Sequence, residues 1–262
     1  MDKDATISIL LPAYNEEKNL VATAEEVLKA LGNRFGGYEI IIIDDHSSDR
    51  TGEFADSLAQ GNANIKVLHN ETNKGFGYSY RRGVAAATCD YVCFFPADNC
   101  VPTECIQAIF DQVGKADIIL NYTSNLEIRV PMRRFLSRTY TGLMNTLFGL
   151  NLTIINGPTV HKRPIIQAVK ISTDGFAFMA EIMVRLISSG HSYLEIGTPI
   201  RERKYGSVKA FRFKNVISVF KTAWTLFWDV NVFGRKHYKS RGRAVSSSPI
   251  VVQPLSSEWI LE

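Results

Sequence analysis

The chain has 262 residues, 45% hydrophobic and 21% charged, a globular composition sufficient for one large domain or one domain with an appendage. No stretch holds eighteen uncharged apolar residues, which argues against a transmembrane helix; the nearest approach, Val216 to Phe233, is broken by Lys221 and Asp229. The formal net charge of +4 is uneven, because twelve Lys or Arg lie between Arg201 and Arg243 against only Glu202 and Asp229, and such a basic region suits a phosphate-bearing ligand or an anionic membrane surface.

The opening MDKDATIS is polar and reads as no secretory signal. A reducing cytoplasm with free thiols at Cys89, Cys93, Cys100 and Cys105 is therefore expected. Ile7 to Leu11 reads as a buried strand ending in Pro12-Ala13-Tyr14-Asn15-Glu16. A helix follows to Leu31, with Leu20, Ala24, Val27, Leu28 and Leu31 at helical spacing. Glu39 to Ile43 is a second strand, running into Asp44-Asp45-His46-Ser47. Ser48 to Thr51 opens a second helix, with Phe54, Ala55 and Leu58 on one face. Ile65 to Leu68 is a third strand, and Lys74-Gly75-Phe76-Gly77 leads into a helix to Ala87. The apolar run from Tyr91 then stops at Pro96-Ala97-Asp98-Asn99 and reads as a central strand.

This alternation predicts an α/β fold with a mostly parallel sheet, whose right-handed crossovers place the strand carboxyl ends on one rim. Ligands bind at that rim in open α/β sheets. Pro12 to Glu16, Asp44-Asp45, Lys74-Gly75 and Asp98 all fall there. Each is also ordinary turn chemistry when taken alone. Asp98 suits a divalent cation carrying a diphosphate, or equally the cap of a helix begun by Thr103-Glu104. The first loop holds PAYNEE instead of GxGxxG, and no GxxxxGK[ST] is present. A nucleotide neutralised by a metal and basic side chains is expected, with no glycine cradle. No nucleic-acid partner is expected.

LLPAYNEEKNL, EIIIIDDHSSDRT, NKGFGYSYRRGVAAATCDYVCFFPAD and RERKYGSVK resemble family 2 glycosyltransferases of the GT-A fold, in the branch of dolichyl-phosphate mannose synthases and bacterial polyprenyl-phosphate glycosyltransferases. The resemblance spans Ile7 to Trp228. It implies that Pro12, Ala13, Tyr14 and Glu16 hold the nucleoside of a sugar nucleotide, that Asp45 reads the base, and that Lys74 and Gly75 lie near the nucleotide. It makes Ala97-Asp98 the end of a DxD motif, with Asp98 the ligand of Mg²⁺ or Mn²⁺. Here Pro96 replaces the first acid and Cys100 replaces a common polar residue.

Farther along, Asn121 to Ser124 lacks the branch's arginine, and Arg129, Arg133, Arg134 and Arg138 could supply that charge. Ser137-Arg138 and Asn145 resemble an acceptor-side helix, and Asn156-Gly157 an acceptor-side turn, with Ile154 in place of the usual acid. Phe178 to Glu181 matches an FxxE element. Arg203 to Lys209 matches an RxYGxSK loop whose cations contact diphosphates, with Val208 replacing serine. Glu181 can also be a first-turn helix acid, and the basic loop can simply be solvated.

Lys214 to Asn231 reads as an amphipathic helix, with Ile217, Phe220, Trp224, Phe227, Trp228 and Asn231 on one stripe. Packing on the core, on a twin subunit in a homodimer, or in a membrane interface would each produce it. Arg235 to Glu262 reads as an extended tail in which Ile250 to Val252 can dock. The expected organisation is a GT-A domain over 1–233 and a tail over 234–262.

The expected function is inverting transfer of a sugar from a nucleoside-diphosphate donor, with Asp98, the metal, Arg203 and Lys209 on the leaving diphosphate. Polyprenyl phosphate at the cytoplasmic face of a membrane is the expected acceptor, and it needs no base. A soluble hydroxyl acceptor in the cytoplasm would need Glu181 as general base. A non-catalytic sugar-nucleotide-binding module is a further alternative. A nucleotidyltransferase needs a glycine-rich first loop, which PAYNEE does not supply.

Overall fold

A computed structural model describes residues 4–155, 157–175, 177–205, 222–234, 238, 242–246 and 248–252. The first half alternates as expected: β1 (Thr6–Ala13), α1 (Leu20–Leu31), β2 (Gly37–Asp44), α2 (Thr51–Gly61), β3 (Ile65–His69), α3 (Phe76–Ala86) and β4 (Tyr91–Phe94). The second half adds α4 (Thr103–Phe110), β5 (Ile118–Thr123), α5 (Pro131–Phe148), β6 (Thr159–Lys162), α6 (Arg163–Ala168), α7 (Phe178–Ser188), β7 (Tyr193–Thr198) and β8 (Ile250–Val251). The strands form one sheet in the order β3-β2-β1-β4-β6-β5-β7-β8. Every neighbouring pair is parallel except those of β6, which runs antiparallel to β4 and β5.

Side chains alternate across a strand, and this divides the apolar runs between two core layers. Ile40 and Ile42 join Ile7, Ile9 and Leu11 against α1 and α4. Ile41 and Ile43 join Leu10, Val92 and Phe94 on the face of α3 and α7. The four consecutive isoleucines are thus needed two per face. All are fully buried, worth roughly 1.5–3 kcal/mol each relative to exposure.

β6 and β7 were not among the expected strands. β6 reads TVHK, and its polarity hides it, yet His161 is fully buried between strands. Burial first, then the nearby His191, pushes the His161 imidazole down to about 3, so it stays neutral. The tail also docks: Ile250 and Val251 pair with Ile196 and Gly197 of β7.

Residues 206–221, and with them the first eight residues of the expected amphipathic helix, lie outside the described residues. Residues 222–227 are helical and continue as a π-helical turn, Trp228–Phe233. The buried side differs from the expected aromatic stripe. Ala223, Leu226 and Val230 face the core, whereas Trp224 and Phe233 are 67% and 78% exposed. Small aliphatic groups make the closest packing, Phe227 packs partly against the core, and Trp224 and Phe233 are left outside.

At the sheet end opposite the ligand rim, Glu39 ties the first four strands together. Its carboxylate accepts from Ser8 (2.7 Å), Lys66 (2.8 Å) and the Thr88 amide (2.7 Å). Burial pushes this carboxyl up, but the donors from Lys66, Ser8 and Thr88 outweigh it and hold it at about 2. A depressed carboxyl contributes stability above its unfolded value of 4.5, and that stability is lost as pH falls toward 2. Glu39→Gln is therefore expected to cost on the order of 3 kcal/mol near pH 7 and almost nothing near pH 2. Urea unfolding of both proteins across that range would show the two curves converging; parallel curves would refute the assignment.

Candidate active site

Three loops at the carboxyl ends of β1, β2 and β4 each contain a non-glycine residue at positive φ: Asn15 (54°), His46 (61°) and Asn99 (55°). Such backbone is sparsely populated and persists where surrounding contacts hold it. Those contacts are present. The Asn15 amide donates to Ser47 Oγ at 3.0 Å, the Ser48 amide to Asn15 Oδ1 at 2.8 Å, and the Glu16 amide to Thr51 Oγ1 at 2.8 Å. The PAYNEE loop is thereby stitched to the loop after β2.

Asp45 extends the stitching. Its buried carboxylate accepts from the Lys74 amide (2.9 Å), the Gly75 amide (2.8 Å) and Asn70 Nδ2 (2.7 Å). Gly75 has φ 94°, and a Cβ there would lie 2.9 Å from the Asp174 carbonyl. The Gly77 amide donates to that carbonyl, and Arg81 pairs with the Asp174 carboxylate at 2.5 Å. Segment 172–175 is clamped in turn by Glu181, whose oxygens accept from the Ser172 amide (2.9 Å), Ser172 Oγ (2.7 Å), the Thr173 amide (3.1 Å) and Arg185 (3.0 Å). A cavity of about 330 Å³ opens here, lined by Thr173, Asp174, Glu181, Arg185, Thr222 and Leu226.

The charged centre forms where the chain returns after β7. The Arg201 amide donates to the Cys100 carbonyl at 2.8 Å, which brings the following residues beside the Asp98 turn. Arg203 grips both oxygens of Glu16, at 2.6 Å to Oε2, and its Nη1 stands 3.9 Å from Asp98 Oδ2. Burial raises the Glu16 carboxyl, Asn19 and Arg203 oppose the rise, and Asp98 adds to it. Arg129 and Arg133 lie within electrostatic reach of Asp98 and Cys100. Burial, then repulsion from Arg133, lowers the Arg129 guanidinium to about 10. Arg129 Nη2 donates to Thr123 at 2.8 Å, while its Nε is buried with no partner. Burial likewise lowers Arg133 and pushes the Cys100 thiol up, so the thiol remains protonated.

Asp98 does not cap α4. Pro102 occupies the N-cap position, and the Thr103 amide donates to Glu26 at 2.8 Å.

Of the sequence-predicted residues, the first loop (Pro12, Ala13, Tyr14, Glu16), the Ala97-Asp98 turn and Arg203 meet on the rim, and Asp45 joins Lys74 and Gly75 to it. The Lys74 side chain is exposed. Arg138 is exposed on α5, and no described contact ties it to the charged centre. Asn156 and Lys209 lie outside the described residues. Glu181 has both oxygens occupied, which makes it a clamp for segment 172–175; a free base is not what this geometry offers. Sequence reasoning named Arg129 and Arg133 only as general sources of charge, and did not single out Asp174. The Asp174-Gly175 pair, a turn signal, was the available cue.

Residues 8–165 match the family model for glycosyl transferase family 2. The chain belongs to that family. It is accordingly a glycosyltransferase, with the sheet and rim that the motifs imply. It is 25% identical over 216 residues to undecaprenyl-phosphate mannosyltransferase of Micrococcus luteus, covering 76% of this chain and 85% of that protein. It is 27% identical to polyprenol monophosphomannose synthase of Mycolicibacterium smegmatis, covering 77% and 79%. A 32% match to glycosyltransferase GlyG of Streptococcus pneumoniae covers 44% of this chain and 38% of that protein. In fold it resembles glucosyl-3-phosphoglycerate synthase from Mycobacterium tuberculosis in complex with UDP, with TM-score 0.64 at 15% identity over 86% of this chain and 79% of that one. The same enzyme in complex with Mn²⁺, UDP-glucose and phosphoglyceric acid gives 0.63 at 14% identity, with the same coverage.

Asp45→Asn replaces one of the two oxygens that hold Asn70 and the 74–75 amides with a donor. It is expected to raise the donor KM about tenfold and to change kcat less than about threefold. Steady-state kinetics at varied donor concentration would show this, and an unchanged KM with a collapsed kcat would refute it.

Proposed function

We propose that the chain transfers a sugar, with inversion, from a nucleoside-diphosphate sugar to polyprenyl phosphate at a membrane surface. The observation that carries this reading is the rim cluster in which Arg203 stands 3.9 Å from Asp98 beside the PAYNEE loop, with Arg129 and Arg133 within electrostatic reach. Guanidinium forks suit phosphate oxygens. The first loop and the 74–75 turn that Asp45 holds would orient the nucleoside, and the cluster would meet the phosphates. The names of the Micrococcus and Mycolicibacterium relatives favour a lipid-phosphate acceptor.

An acceptor phosphate oxygen attacks the anomeric carbon from the face opposite the diphosphate. The bond from that carbon to the diphosphate oxygen breaks, and the nucleoside diphosphate leaves with the electron pair. Charge grows on the leaving oxygens, so preorganised cations there lower the barrier. No proton moves, since a phosphomonoester with a second pKa of about 6 is already anionic. The occupied oxygens of Glu181 agree with this chemistry, because a hydroxyl acceptor would need a free base.

The lipid would arrive along α5. Val130, Met132 and Phe135 are each 65% exposed at its start, directly after Arg129 and interleaved with Arg133 and Arg134. Trp224 and Phe233 are further exposed apolar side chains. Among the described residues no helix is long and apolar enough to cross a membrane, so attachment through these surfaces would be peripheral. Each basic residue near an anionic surface adds about 1 kcal/mol and is screened by salt.

The test is incubation with a panel of nucleotide sugars and a short-chain prenyl phosphate, with products read by mass spectrometry. Co-sedimentation with anionic liposomes at low and high salt accompanies it. A prenyl-phosphate-linked sugar and salt-sensitive sedimentation are expected. Transfer only to soluble hydroxyl acceptors, with no sedimentation, would overturn the acceptor assignment.

A further inference from the structure

The Asp98 turn departs from a two-carboxylate metal site. Position 96 is proline, which offers no side-chain ligand. Glu16, the nearest other acid, has both oxygens engaged by Arg203. The Cys100 thiol directs its proton to the Asp98 carbonyl at 3.6 Å. Asn99 Oδ1 is a neutral oxygen, buried and without a partner. Among the described residues, no group of three His, Cys, Asp or Glu side chains could hold a metal ion. The Mg²⁺ or Mn²⁺ expected from the resemblance would thus have Asp98 as its single anionic protein ligand. With one carboxylate the protein contributes little to such an ion, whose other ligands would be the donor diphosphate and water.

The charge count points the same way. Asp98 and Glu16 contribute two negative charges, and Arg129, Arg133 and Arg203 contribute three positive ones. The cluster carries a net +1 before any ligand arrives. In the ligand-free cluster a lone divalent cation meets repulsion and a diphosphate meets attraction, so the nucleotide does not need the ion to enter first. A second observation also points to an anion: Arg129 Nε is a buried donor with no acceptor. Such groups are costly unless a ligand or water completes them.

We propose that this chain binds the donor diphosphate without requiring a divalent ion, with the guanidiniums of Arg129, Arg133 and Arg203 supplying the charge that a metal supplies in a two-carboxylate site. The inference rests on the proposed nucleotide-sugar donor. In the transfer step the three guanidiniums neutralise the leaving diphosphate as it takes the electron pair of the broken bond. Asp98 then acts as a positioning residue, holding the arginines together on the rim.

Calorimetric titration of the full chain with UDP and with GDP, first in EDTA and then in Mn²⁺, tests it. The nucleotide that binds should do so with Kd values within about threefold of each other in the two conditions. Arg129→Met should weaken binding in EDTA about tenfold or more, since bidentate phosphate contacts are among the stronger charge-assisted hydrogen bonds. Pro96→Asp, which restores the second carboxylate, should acquire Mn²⁺-dependent tightening that the parent lacks. Should Arg129→Met fail to fold, the parent and Pro96→Asp titrations decide the matter alone. Binding by the parent that appears only with Mn²⁺ would overturn the inference and leave the glycosyltransferase reading intact. Absence of nucleotide binding in both conditions would overturn the donor assignment itself.

Discussion

The ion pair between Arg203 and Glu16 joins residues 187 positions apart, and the charged rim depends on it. Glu16 belongs to the first loop after β1, and Arg203 to the segment that follows β7. Neither half of the chain contains the site. A guanidinium in this partly buried place needs its carboxylate, because an unpaired buried charge costs about 3–5 kcal/mol. The pair therefore holds the returning segment down, and the backbone contact from Arg201 to Cys100 fixes where it lies. Asp98 then faces a guanidinium instead of a second acid.

A second chain of contacts runs from Asp45 through the 74–77 turn to segment 172–175 and Glu181. It uses backbone amides as donors, so it constrains main-chain positions as well as side-chain rotamers. Gly75 and Gly77 belong to this chain because the Asp174 and Thr173 carbonyls pass where a Cβ would stand. The two chains of contacts leave different groups free. Carboxylates that look available in sequence, Asp45 and Glu181, are consumed in holding loops. Two unsatisfied groups near the rim are Arg129 Nε, a donor, and Asn99 Oδ1, a neutral acceptor. With Glu16, Asp45 and Glu181 occupied and Arg129 partly free, the rim favours an anion.

The two ends of the sheet divide the labour. At one end Glu39 satisfies Ser8, Lys66 and Thr88 and pins the strands together. At the other, three residues at positive φ are held by contacts between loops. The stable end lets the rim keep backbone conformations and charge density that an isolated loop would not hold.

Much of the first half was legible in sequence because its signals are local. Apolar runs of strand length, helical spacing and turn residues mark β1 to β4 and α1 to α3, and alternation then requires a parallel sheet with one ligand rim. The motifs around Pro12, Asp45 and Asp98 followed from their place after strands. The tertiary structure decided what was not local. β6 was hidden because a strand inside a sheet can carry a neutral His161, bonded to Thr159 of its own strand, and a Lys162 paired with Asp117. The helix near Trp224 buried its small aliphatic side, since packing selects shape as well as hydrophobicity. Asp45 reaches partners 25–30 residues away, Arg203 one 187 away, and Glu181 the 172–173 segment 8–9 away, none of which periodicity encodes; only the Glu181–Arg185 pair stands at helical spacing. Sequence determined which residues reach the rim; only the folded chain decided which of their charges remain free, because that depends on what each one touches.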